Sequence, residues 1–251
     1  MLVCLFSVAP VIILVLESFT PTDYVVFPPP GVSFKWYIEF VKRPEFVDSM
    51  ISSLLVAFGA SILSTTLGTM AALVLVRRAS FGSRALMSLF SAPLSLPGII
   101  LGLALLQFLV RYNIPRNMLT MIAAHVVITM PFAIRFVSVA LLGVDRNAEH
   151  AAQSLGANPL RTFWHVSLPL IRPGIVASFV FAFILSFDEV AASLFMATPD
   201  LTTLPVRIFV YIDQNYDPLV TSVSSLLVFA AAIALAVIER TIGVGRLFGM
   251  R

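Results

Sequence analysis

Charge is scarce in this chain. Asp, Glu, Lys and Arg make up 12% of its 251 residues, about half the share of a soluble domain. Hydrophobic residues reach 59%, and the mean hydropathy is +0.99. That balance excludes an ordinary soluble protein and implies an all-α integral membrane protein surrounded by lipid. The length suits a single transmembrane domain over residues 1–251, at about 20 residues per span. Cysteine is nearly absent: Cys4 stands alone, which excludes an intrachain disulfide framework and a multi-cysteine metal site. No metal site is expected. Lys35 and Lys42 are the only lysines, and neither follows a glycine-rich turn. There is thus no G-x-x-x-x-G-K-[ST] phosphate loop and no dinucleotide fingerprint. No catalytic residue and no cofactor is assigned to the chain, so its energy source is a partner or a gradient. The net charge of +3 does not point to nucleic acid, because the basic residues sit in short loops, where they set topology.

What is present is a succession of apolar runs. Met1–Leu16 has no basic head, and Glu17-Ser18-Phe19-Thr20 is a poor small-residue cleavage site, so it reads as a first span rather than a signal peptide. The missing head is also what a native start lying upstream would leave. Thr20–Val47 is a long loop with Pro28-Pro29-Pro30 and Trp36-Tyr37, aromatics suited to a membrane–water boundary. Further spans are expected over Asp48–Val76, Ala85–Val110 (interrupted at Pro93 and Pro97-Gly98), Met118–Leu142 (bent near Pro131), Pro169–Met196 and Pro218–Ile238. Six spans put both termini on one side. Arg77, Arg78, Arg84, Arg135, Arg146, Arg161, Arg172, Arg240, Arg246 and Arg251 share that side; Lys35, Lys42, Arg43, Arg111, Arg116 and Arg207 lie opposite. The positive-inside rule then places both termini in the cytoplasm.

The longest polar-rich segment between apolar runs is Glu149–Gly174. Asp145 or Asn147 can cap a short helix over Ala148–Leu155, leaving Gly156 where a left-handed residue ends it. Asn158 offers a second cap, with Pro159 at the first helical position. Two small helices joined by a tight turn between two spans make a docking knob.

The knob carries a pattern. Ala151, Ala152, Gly156, Val166, Leu168 and Pro169 keep the spacing E-A-A, three residues, Gly, nine residues, Ile, one residue, Leu-Pro. This resembles the EAA loop of permease subunits of bacterial ABC importers, with His150 at the Glu position and Glu149 just before it. Within that family, Ser18-Phe19, Trp36-Tyr37, Ser53-Leu54, Leu67-Gly68, Gly102–Leu106, His125, Pro131, Ser186–Glu189 and Thr203-Leu204-Pro205 are similar to the spermidine/putrescine branch, and to the second of its two paired permeases. The resemblance implies a type I importer permease fold of six transmembrane helices, with a coupling loop at about residues 145–168. It implies that Glu149, His150, Ala151, Ala152, Gly156, Ala157 and Pro159 meet an ATP-binding subunit. It also implies the partners: two ATPase subunits that bind ATP and Mg, a second, different permease, an extracytoplasmic solute-binding protein and a small-molecule solute. The location implied is the bacterial inner membrane. Related branches import thiamine, ferric iron or phosphonates.

Asp188 and Glu189 are expected inside the fifth span, where a charge costs about 2.5–3.5 kcal/mol on insertion scales and therefore faces a cavity or a partner. Adjacent helical residues point about 100° apart, so one of the two lines a path and attracts a cation, or both pair at a helix interface or boundary. Phe187 and the helix break at Pro97 complete the expected substrate path. His125 and Gln107 read as packing residues. Tyr211, Asp213, Asn215, Tyr216 and Asp217 are expected near the outer boundary, in a solvated loop or as a receiver for a cationic solute. One rival is a proton-coupled secondary transporter using Asp188, Glu189 and His125 as a relay, which leaves the docking loop unexplained. A membrane scaffold explains neither.

Overall fold

The computed structural model describes residues 2–77 and 81–242. Met1, Arg78, Arg246 and Arg251, which entered the topology reading, lie outside the described residues. In chain order the helices are α1 (Leu2–Glu17), α2 (Lys35–Lys42), α3 (Pro44–Arg77), α4 (Phe81–Ser91), α5 (Gly98–Arg111), α6 (Met118–Leu142), α7 (Arg146–Ser154), α8 (Pro159–Thr162), α9 (Leu168–Phe187), α10 (Ala191–Met196), α11 (Leu204–Gln214) and α12 (Leu219–Ile242). Among the described residues the only extended pairing is an isolated bridge between Thr198 and Leu201.

The chain clusters into two compact units, residues 1–51 with 206–251, and residues 52–205. In the first unit, α2 buries Trp36 and Phe40, spaced one helical turn apart. Between them in sequence, the Tyr37 hydroxyl meets Ser18 Oγ at 2.6 Å and Ser225 Oγ at 2.7 Å. Ser222 Oγ donates to the Ser18 carbonyl at 3.0 Å. These bonds fasten α2 and the end of α1 to α12, as polar residues do between helices in an apolar medium.

In the second unit α6 packs along α9. A Cβ built on Gly174 would stand 2.4 Å from Ala140 Cβ, so only glycine allows this approach. Ala72, Leu75, Ile134, Val137, Leu141 and Ile171 form one buried cluster there. Val56, Leu109, Met121, Ala124, Met196 and Leu201 form another. Two hydroxyl pairs cross between helices, Ser64 with Thr129 at 2.5 Å and Thr65 with Ser178 at 3.2 Å.

Three described helices are long and apolar enough to cross a membrane: Pro44–Arg77, Met118–Leu142 and the continuous stretch Pro159–Phe187. A fourth span results if Gly82–Ser95 and Gly98–Arg111, bent by 106°, are counted as one. The expected first and sixth spans fall on the shorter apolar helices Phe6–Glu17 and Leu219–Ile233. The expected third span is thus sharply folded. A 3-10 turn over Ala92–Ser95 ends α4, and Leu96 is extended at φ −99°, ψ 136°. Pro97 causes this, because its ring forbids a helical predecessor. Pro131, by contrast, leaves α6 unbroken. The fifth span departs at both ends from the expected Pro169–Met196. It starts at Pro159 and stops at Phe187, where Asp188 caps it and the chain turns before α10.

Candidate functional site

The docking knob forms as its residue types dictate. The Asp145 side chain accepts from Asn147 N at 2.9 Å, so Asp145 is the cap of α7 and Asn147 lies within the helix. At the other end, Gly156 takes φ +90°. Gly156 N donates to the Gln153 carbonyl at 2.9 Å and Ala157 N to the Ala152 carbonyl at 3.0 Å. This pair of bonds is the Schellman motif, and it satisfies carbonyls that the end of a helix leaves free. Asn158 Oδ1 accepts from Arg161 N at 2.8 Å, and Pro159 opens α8. A π-helical turn, Phe163–Ser167, leads into α9. Pro169 explains the wider turn: it has no N–H for the preceding ladder, and its ring crowds the carbonyl four residues back.

The knob presents an apolar surface. Leu155 is 90% exposed, Leu160 67% and Trp164 57%. His150, Ala151, Gly156 and Pro159 are exposed as well, while Ala152 and Ala157 are half-buried. Exposed apolar clusters of this kind mark surfaces that meet a protein or the membrane. Sequence reasoning missed Leu155, Leu160 and Trp164, although a large apolar residue beside the terminating glycine was the available signal. Glu149 does not join this surface. It turns inward, pairing with Arg77 at the end of α3 and accepting from Ser167 Oγ at 2.6 Å.

The other site is the break after α9. That helix is 20 residues long, about 30 Å, or one hydrocarbon thickness. Asp188 and Glu189 therefore lie a full span away from the Leu168 end rather than in mid-helix. Their roles divide. Glu189 Oε1 accepts from Ala192 N at 2.8 Å and so caps α10. Asp188 is exposed; its backbone N donates to the Ile184 carbonyl at 3.0 Å, while its carboxylate makes no hydrogen bond or ion pair to the described residues. It sits at the helix C-terminus, where free carbonyls already carry negative partial charge.

Two further elements hold the break. His125, almost fully buried on α6, meets Ser186 Oγ through Nδ1 at 2.7 Å and Ser193 Oγ through Nε2 at 2.9 Å. It links α6 to α9 and α10, so both ring nitrogens serve packing. The start of α5, just after Pro97, lies against α10: a Cβ on Gly102 would be 2.7 Å from Ala192 Cα, and one on Gly98 3.1 Å from Ala191 Cβ and 4.0 Å from Glu189 Oε1. The two helix breaks, at Pro97 and at Asp188–Val190, are thus neighbours. Phe187 stacks on Phe183 with centroids 6.1 Å apart. Gln107, expected as a packing residue, is instead exposed on α5.

In the first unit, Tyr211 donates to Asp217 Oδ2 at 2.5 Å and accepts from Arg43 Nη1 at 2.7 Å. Burial, reinforced by the Asp217 hydrogen bond and opposed by Arg43, pushes the Tyr211 phenol up to about 12. Asp217 also accepts from Leu219 N at the start of α12, at 3.1 Å. These residues form a structural clip, with Asp213 and Tyr216 exposed beside it and the Asn215 side chain bonded to the Tyr211 carbonyl.

This arrangement recurs in known proteins. The fold superposes on a chain of a bacterial ABC transporter involved in the import of the acidic polysaccharide alginate, with TM-score 0.72 over 96% of this chain and 94% of that one, at 14% identity. In sequence the chain is 34% identical to the putrescine transport system permease protein PotI of Escherichia coli K12, over 91% of this chain and 83% of the relative. It is 28% identical to the spermidine/putrescine transport system permease protein PotC of Haemophilus influenzae, over 93% and 90%. The fold is that of an ABC importer permease. Residues 64–242 match the model of the binding-protein-dependent transport system inner membrane component, and the chain belongs to that family of multi-pass membrane proteins.

Proposed function

We propose that this chain is the permease subunit of an ATP-driven importer that moves a cationic polyamine, putrescine or spermidine, into the cytoplasm. Two ATPase subunits, which bind ATP and Mg, close beneath the membrane and push on α7 and α8. A second permease of different sequence completes the pathway, and an extracytoplasmic binding protein delivers the solute. Both termini and the docking knob face the cytoplasm, consistent with the arginine distribution. As a permease component the chain catalyses no covalent step; its work is rigid-body helix motion.

The observation that carries the polyamine reading is the unpaired Asp188 carboxylate at the C-terminus of α9. A helix end contributes about half an elementary negative charge there. A carboxylate beside it is costly on its own and favourable once a cation arrives. A protonated amine at 4 Å gains about 4 kcal/mol at an effective dielectric of 20. An anionic solute would be repelled by the same amount. The putrescine and spermidine/putrescine permeases among the relatives support the same solute class.

The test is uptake by the assembled transporter in proteoliposomes, using radiolabelled putrescine, spermidine, thiamine, ferric iron and a phosphonate. Putrescine or spermidine should be taken up. Asp188→Asn should lower that uptake with normal abundance in the membrane. Glu189→Ala should instead lower abundance, because a lost helix cap costs about 0.5–2 kcal/mol. Uptake of phosphonate alone, or parental polyamine uptake by Asp188→Asn, would defeat the reading.

A further inference from the structure

Glu149 and His150 are neighbours on the docking helix with opposite surroundings. His150 faces solvent, whereas the Glu149 side chain is only 15% exposed. Its Oε1 receives the Arg77 guanidinium and the Ser167 hydroxyl, and Arg77 Nη2 also donates to Ser167 Oγ at 3.2 Å. The three side chains close a triangle. Arg77 is the last residue of α3, and Ser167 is fully buried at the residue before α9.

We propose that Glu149 is a positioning residue that fastens the docking helix to the ends of α3 and α9, so that displacement of α7 moves both membrane helices. This rests on the reading of α7 and α8 as the ATPase docking element. Helix α7 buries no side chain of its own, so apolar packing does not hold it in place. A two-member contact would leave a hinge; a closed triangle between three backbones does not. A half-exposed ion pair contributes little to stability, and the Arg77 side chain is 38% exposed. The value of this pair therefore lies in transmission. It also separates two jobs within the docking knob: the exposed His150 on α7, Leu155 just after it and Leu160 on α8 meet the partner, and Glu149 carries the resulting motion inward.

The experiment uses the whole transporter, with its ATPases and binding protein, in proteoliposomes. The readout is putrescine taken up per ATP hydrolysed. Glu149→Gln and Arg77→Gln should keep the ATPases bound through purification and retain basal hydrolysis. Uptake per ATP should fall about tenfold, within the usual range of coupling between sites. Exchanging the charges, Arg77→Glu with Glu149→Arg, should recover most of the ratio, which simple loss of folding would not do. If a single variant fails to insert, the exchanged pair decides alone: recovery supports the strut and failure overturns it. A parental ratio in Glu149→Gln overturns it too. So does loss of the ATPases from that variant, which would make Glu149 a partner contact. The docking reading is tested separately by Leu155→Asp. If that variant keeps its ATPases and its uptake, the knob is not the docking element, whatever Glu149 does.

Discussion

Gly156 offers the cleanest perturbation of the docking knob. Its φ is +90°, and a Cβ built there would meet no heavy atom within 4 Å. Crowding thus contributes nothing, and a substitution acts through the backbone alone. Left-handed conformations cost an L-residue about 1–2 kcal/mol, and strained backbone positions reach about 3 kcal/mol. At about 1.4 kcal/mol per tenfold, Gly156→Ala should reduce the formed turn relative to the open one by roughly 5- to 30-fold. Gly156→Val, with a β-branched side chain, should reduce it by about 100-fold. Gly156→Asn should be mildest, because asparagine tolerates positive φ. The penalty falls on the two Schellman hydrogen bonds and hence on the angle between α7 and α8. It does not fall on the spans, so membrane insertion should be unchanged across the series. The assay is retention of the ATPase subunits on purification, followed by putrescine-stimulated ATP hydrolysis. The expected order is Gly, Asn, Ala, Val, from highest to lowest. Equal activity in the Val and Asn variants would refute the argument, since it would mean that the left-handed turn is not used.

Three other perturbations test the remaining structure. With Cys4→Ser as background, cysteines at Pro29 and Asp200 should react with an impermeant reagent in intact cells, and one at Gln153 should not; labelling at Gln153 would invert the topology. Gly174→Leu should separate α6 from α9, where the approach leaves a Cβ only 2.4 Å from Ala140; overpacking of this kind costs about 1–3 kcal/mol or more, and lower thermal stability of the purified protein would register it. His125→Leu strands the Ser186 and Ser193 hydroxyls, each a loss of about 1–3 kcal/mol. It should lower stability as well, and it should leave the pH dependence of uptake in the surviving protein unchanged, which a proton carrier would not.

Local chemistry made much of this protein legible in its sequence. Scarce charge and long apolar runs dictate membrane helices, because only internally bonded backbone survives in lipid. The Asp145 and Asn158 caps, the left-handed Gly156 and the leading Pro159 act within a few residues of themselves, so α7, its turn and α8 could be read directly. The break at Pro97 is equally local. What tertiary structure decided depends on residues far apart in the chain. Glu149 is 72 positions from Arg77, and nothing in its neighbourhood says that it turns inward while His150 stays outside. Asp188 and Glu189 look alike as a pair of acids in an apolar run. Only the fold of the chain after Phe187 makes one a helix cap and leaves the other free. His125 reads as a lone intramembrane histidine until Ser186 and Ser193, 61 and 68 positions away, supply a partner for each ring nitrogen. Periodicity and capping are written in neighbouring residues, whereas the partner of a buried polar group is set by which helices meet.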